Sequence, residues 1–195
     1  MFRVPILVAL VLAIAFGGGI GGTIMALQAT IGFGAVRLGP WTAFPDAQTA
    51  ETDPYAKAHR ARAGRLLYGR AEGMRFVAAT DGEGKLLQGG CTYVIAGRTP
   101  PARFWTLFAT DSRDTPLSDA PGRPTALNAW TVLRASDSSF TITVSPEAQP
   151  GNWMAVAHRG PVRLVLTLLD APTANSSGAT ELVMPTITRG DCVDG

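Results

Sequence analysis

Asp111 and Asp114 stand three residues apart in "ATDSRDTPL" and could pair as carboxylates in a glycosidase manner, a role that depends on their separation in space. Ordinary loop solvation explains the same two residues. His158, in "MAVAHRGP", is a candidate base near the turn into "VRLVLTLLD", and a turn histidine without a catalytic partner is the competing reading. The other histidine, His59, sits among arginines and suits a surface position. Ser145 is followed by Pro146 and Glu147, which reads as a strand end and turn. The G-x-S-x-G, H-E-x-x-H and Walker sequences are missing, so no residue is assigned as catalytic. A match to G-x-G-x-x-G does occur at Gly17, Gly19 and Gly22. A dinucleotide loop, however, needs an acid about 20 positions further on to hold a ribose. The expected window holds Arg37 and "LGPWTAF", with no acid before Asp46.

Binding without chemistry is a second class of reading. Trp105, Trp130 and Trp153 fall in the second half of the chain, and ring faces on a sheet hold apolar and carbohydrate ligands. Trp153, Asn152 and Arg159 are the candidate ligand-binding residues for a glycan or small ligand. Trp105, in the apolar run "RFWTLF", fits a core position better, and Trp153 has the alternative of plugging the space between two sheets. No cofactor is implied. Cys91 and Cys192 have neither CxxC spacing nor a neighbouring histidine, so no metal site is expected. In an extracytoplasmic domain the two cysteines invite a disulfide, and two buried thiols are the alternative.

The elements around these residues begin with a membrane segment. Val4 to Val36 contains no Asp, Glu, Lys, Arg or His, whereas a spanning helix needs only about 20 residues. "MFR" with "AIA" at Ala13 to Ala15 also fits a cleavable signal peptide. Cleavage there would leave "FGGGIGGTIMAL" as an apolar terminus in water, which favours a retained signal anchor. The expected placement is single-pass in the bacterial inner membrane, with the amino terminus in the cytoplasm and the C-terminal domain in the periplasm. Gly18, Gly22 and Ala26 form a small-xxx-small row through which two such helices could associate, although anchors are often rich in small residues.

The expected organisation is an anchor over 1–36, a linker over 37–52, a β-sandwich over 53–190 and a C-terminal tail over 191–195. Asp53 and Pro54 make an N-cap and first helical residue, predicting a short basic helix from about Pro54 to Leu67. Beyond Gly73 the period changes to two. "MRFVAAT" and "KLLQGGCTYVIAG" flank "DGEG" as a hairpin or longer turn, "SFTITVS" alternates, and "PVRLVLTLLD" keeps Val162, Leu164, Leu166 and Leu168 in phase. The fold class expected is mainly β: an antiparallel, jelly-roll-like β-sandwich with one N-terminal transmembrane helix and one short amphipathic, basic helix. Net charge is +2, which implies no field for nucleic acid. All but two of the 17 basic residues are arginine; Lys57 and Lys85 are the exceptions.

The series "GGCTYVIAG-RTPPARFWTLFATDSRDTPL", then "SSFTITVSPEAQPGNWMAVAHRGPVRLVLTLLDAP", then "ELVMPTI", resembles the domain of unknown function 1214 of bacterial envelope proteins. The likeness extends roughly from Asp53 to Thr188 and is most specific in "GNWMAVAHRGPVRLVLTLLD". "DAPT" at Asp170 to Thr173 departs slightly from the family's Asp-Thr-Pro turn. The resemblance implies a jelly-roll-like β fold in a short membrane-anchored form without the 1254 partner domain, and it brings no established activity. The chain is therefore expected to be an envelope accessory or interaction module. Its partners would be the membrane, itself through the anchor helix, and an envelope glycan or protein. A glycan-binding module and a hydrolase are the alternatives.

Overall fold

In the computed structural model the described residues are 3–29, 35–44, 73–117, 122–171 and 182–192, with Pro54, Lys57, Ala58 and Ala61 between them. Those four single residues are helical; the rest of the basic helix expected from Pro54 to Leu67, His59 included, lies outside the described residues.

Helix α1 spans Arg3–Ala29, and its stretch Arg3–Met25 has a mean hydropathy of 2.4 with none of its side chains buried by the protein. At 1.5 Å per residue it is about 40 Å long, enough to cross a hydrocarbon core. The chain thus carries one N-terminal helix long and apolar enough for a membrane. A Cβ placed on Gly18 or Gly22 would touch nothing within 4 Å, so that side of the helix is open.

Strands β1 (Val36–Leu38) and β2 (Trp41–Ala43) follow within a few residues. This corrects the expected linker over 37–52, whose first part is sheet. Trp41 is fully buried and its indole N–H donates to Pro185 O at 2.7 Å, so this short hairpin belongs to the core. The remaining strands are β3 (Gly73–Ala78), β4 (Cys91–Gly97), β5 (Phe104–Thr110), β6 (Ala126–Asn128), β7 (Phe140–Ser145), β8 (Asn152–Ala155), β9 (Arg163–Leu169) and β10 (Thr186–Cys192). They form a six-stranded sheet in the order β1-β2-β3-β9-β5-β6 and a four-stranded sheet in the order β10-β4-β7-β8. The pairings are antiparallel except β7 with β8, which run parallel. The fold is mainly β, as the alternation in the sequence implied.

Period-two burial explains the two-layer arrangement. Phe76, Trp105, Leu107, Leu164, Leu166 and Leu168 point inward from one sheet, and Tyr93, Ile95, Ile142, Val144, Met154 and Ile187 point inward from the other, merging in one core. The Trp105 and Phe140 rings meet across the layers at 5.3 Å. Strand β9, flanked by β3 and β5, is buried on both faces from Leu164 to Leu168, which a run apolar except for Thr167 allows.

The "DGEG" segment turns tightly, with Thr80 bridging to Leu86, but its flanking strands separate: β3 joins β2 and β9, while β4 joins β10 and β7. Of the hairpin and the longer turn expected here, the structure has the turn, as a corner between layers. Leu87 enters the core directly after the turn and pulls the chain across. Gly89 completes the crossing, because a Cβ there would meet His158 O at 2.0 Å.

A disulfide joins Cys91 to Cys192, opposed residues on β4 and β10. The expected tail over 191–195 thus begins inside β10, and the bridge fastens that strand's end to the sheet.

Candidate functional site

The residues nominated from the sequence do not gather at one place. Asn152 and Trp153 are consecutive on β8, so their side chains leave opposite faces of the sheet. The Asn152 amide is occupied: its Oδ1 accepts from Leu133 N at 2.7 Å, and its Nδ2 donates to Leu133 O at 2.8 Å and Thr141 O at 2.9 Å. It acts as a clamp between the 133 turn and β7, beside an open groove of about 340 Å³. Trp153 is half-buried on the outer face opposite Thr143, and its indole N–H donates to Ser145 O at 3.1 Å. Arg159 is exposed in the connection from β8 to β9.

The two candidate carboxylates are held in structural roles. Asp111 Oδ1 accepts from Arg113 N and Thr115 N, both at 2.8 Å, which closes the turn. The Thr115 amide outweighs the opposing effect of burial and, with help from the Arg113 amide, holds the Asp111 carboxyl below its ordinary value. Asp114 has a φ of +64° and faces Arg163 at 3.2 Å and Arg75 at 3.8 Å. Arg163 is paired in register with Thr110, a fully buried residue whose hydroxyl has no hydrogen-bond partner among the described residues.

A different cluster arises where the β4–β5 connection meets the turn between β6 and β7. Gly97 ends β4 with a φ of +129°, a conformation that L side chains rarely adopt, and swings the chain into "RTPPAR". On the other side, "RASDSS" is folded by Ala135 N to Ser139 O and Ser138 N to Ala135 O, both at 2.9 Å. Ser138 is held at a φ of +67°. Between them lies a pocket of about 150 Å³ lined by Arg98, Thr99, Pro101, Trp105, Arg134 and Ser138 among others.

This pocket is rich in donors. The Arg134 guanidinium lies 5.8 Å over the Trp105 ring and donates one N–H to Ala129 O at 3.3 Å. Arg98 donates to Asp137 at 3.0 Å. The Ser139 hydroxyl, then Arg98, hold the Asp137 carboxyl far below the ordinary carboxylate range, so it remains an anion committed to these neighbours. Trp105 is only 1% exposed, and its indole N–H has no acceptor among the described residues. An indole is a donor only, as is a guanidinium, so the described side chains supply more donors than acceptors here. Trp105 is thus a core ring, as its apolar neighbours implied, and also a pocket wall.

Sequence reasoning missed Arg98 and Arg134. They lie 36 positions apart in two loops, and among so many arginines neither stands out in the sequence. The available signal was the Pro-Pro pair beside arginine, which stiffens a loop, set against a Ser/Asp turn.

Residues 72–173 match the family model described as "Protein of unknown function (DUF1214)", slightly more than half of the chain. The chain belongs to this family. The DUF1214 span contains both walls of the pocket as well as Trp153 and Asp114. The VPA0106 protein of Vibrio parahaemolyticus has a similar crystal structure, with a TM-score of 0.57 at 21% identity over 70% of this chain, which shows a shared fold. A putative uncharacterized protein from Burkholderia cenocepacia aligns with a TM-score of 0.42 at 17% identity over 76% of this chain. The DUF1214 chain spans 35% of the Vibrio structure and 46% of the Burkholderia one. No curated protein matches it.

Proposed function

We propose that this DUF1214 chain is a membrane-tethered envelope module that binds a ligand or partner rather than transforming it, with its sandwich on the periplasmic side of the bacterial inner membrane. The observation that carries this reading is the Cys91–Cys192 bridge in a chain that begins with an uncovered apolar helix. Disulfides persist in oxidising compartments, and an apolar helix whose side chains from Arg3 to Met25 the protein leaves uncovered is suited to lipid. The carboxylates nominated for hydrolysis support binding over turnover, since Asp111 closes a turn and Asp114 is engaged by two arginines.

A periplasmic reporter fused after Gly195, read together with the thiol state of both cysteines, tests the placement. An active reporter and no free thiols are expected; a silent reporter with two free thiols overturns it. Self-association through Gly18, Gly22 and Ala26 belongs to the same proposal. Gly22→Ile should then weaken helix association in a membrane reporter assay, and an unchanged signal removes it.

Glycan binding by Trp153 is the second reading. The observation favouring it is a row of Thr188, Val94, Thr143 and Trp153 across the outer face of the four-stranded sheet. Trp153→Ala should abolish glycan binding while leaving the domain folded; loss of folding instead makes Trp153 a packing residue.

A further inference from the structure

We propose that the pocket between residues 98–102 and 134–138 binds one small oxyanion group, a carboxylate or a phosphate, with Arg98, Arg134 and the Trp105 indole N–H as its donors. This names a ligand class for the binding module proposed above and rests on that reading.

Donor counting is the first argument. A buried N–H without an acceptor costs about 1–3 kcal/mol, and native structures keep few such groups. Trp105 Nε1 is one, and Trp105 lines this pocket. The Trp41 indole, buried to the same degree, does have an acceptor in Pro185 O. The two rings are equally buried; the one whose indole N–H lacks an acceptor among the described residues is the one that also lines this pocket.

Charge is the second argument. Arg98 and Arg134 bring two positive charges and Asp137 one negative charge, so the cluster keeps one net positive charge. Each guanidinium has five N–H donors, of which the described residues take one from Arg98 at Asp137 and one from Arg134 at Ala129. The remaining N–H groups match planar or tetrahedral oxyanions, the partners for which arginine geometry is suited. Thr99 and Ser138 add hydroxyls at the rim.

Size is the third. About 150 Å³ takes one carboxylate or phosphate with a short stem and falls well below the 300 Å³ at which drug-sized ligand pockets begin. The rest of the ligand therefore lies outside, which fits a terminal or branching acidic group on a larger molecule. Ser138, strained at φ +67° on the rim, is the kind of backbone outlier that concentrates at ligand clamps.

The test uses the full chain, 15N-labelled, in phosphatidylcholine nanodiscs, with the Trp130→Phe and Trp153→Phe changes to leave the two buried indoles. Trp41 serves as the internal control. Inorganic phosphate, acetate and glucuronate are titrated in turn against chloride at constant ionic strength. The expected result is a saturable downfield shift of the Trp105 indole N–H with a still Trp41, weakened at least tenfold by Arg134→Gln and by Arg98→Gln. Response to phosphate alone assigns a phosphate. Response to glucuronate assigns an acidic glycan, and response only when phosphatidylglycerol enters the disc assigns a lipid headgroup. An unmoved Trp105 signal under every probe overturns the proposal, as does a shift that persists unchanged in Arg134→Gln. The reporter and thiol measurements read placement independently, so a misplaced domain and a pocket that does not bind give different patterns.

Discussion

Arg189 lies 5.4 Å over the Tyr93 ring and Arg134 lies 5.8 Å over the Trp105 ring, yet the two clusters end differently. Around Arg189 the guanidinium meets both a carboxylate and a backbone carbonyl, and none of the buried side-chain polar atoms left without a partner belongs to this cluster. Asp81, 2% exposed, takes Arg189 Nε at 2.8 Å on one oxygen and the amides of Glu83 and Lys85 at 3.0 and 2.9 Å on the other. Arg189 also donates to Leu86 O, and the Tyr93 hydroxyl accepts from Gln88 N at 2.7 Å. This closed network fastens the "DGEG" corner to β10. Around Arg134 a second arginine enters, the nearby carboxylate is taken up by Arg98 and Ser139, and the indole N–H is left over. The same residue types make a structural rivet where acceptors balance donors and a candidate recognition site where they do not.

Four perturbations sharpen or break this comparison. The largest effect should come from removing the bridge beside the closed cluster. Cys192→Ser is expected to lower stability by up to about 4–5 kcal/mol in urea denaturation, because the bond closes a loop of about 100 residues. A loss below 1 kcal/mol would mean that the closed cluster alone holds β10.

Asp81→Asn should cost about 2–3 kcal/mol by leaving Arg189 with half a partner. Burial alone would raise the Asp81 carboxyl, but Arg189 and the Lys85 and Glu83 amides outweigh it and the net direction is down. Its contribution is therefore full above the unfolded value, near 3.8, and is lost as pH falls through the lower folded value. The parent should lose stability in that acid window, and Asp81→Asn should flatten the loss; parallel curves would contradict the closed network.

Asn152→Ala should cost about 1–2 kcal/mol, since it frees Leu133 and Thr141 backbone groups at a partly exposed position. Arg134→Gln stands at the small end, within about 1 kcal/mol by thermal denaturation, the scale of one cation–π contact. A larger loss would place Arg134 among the rivets and collapse the distinction between the clusters.

The sandwich was legible because alternation is a local signal. "SFTITVS" and "PVRLVLTLLD" show their buried faces residue by residue, and β7 and β9 follow them. The two-layer corner at "DGEG" was not, because a tight turn looks the same whether its strands pair or part; the deciding event is Leu87 entering the core. Asn152 and Trp153 are neighbours in the sequence, which made them look like one site, but as consecutive strand residues they belong to opposite faces of β8. "GPWTAF" read as linker because three-residue strands carry too little alternation to register.

The sequence by itself determined the apolar helix, the mainly β class and the family resemblance, since each rests on hydrophobicity and period along a continuous stretch. Only the tertiary structure decided which donors lack acceptors. Arg98, Trp105 and Arg134 lie on two loops and a core strand, and hydrogen-bond balance is a property of neighbours in space that spacing along the chain does not carry.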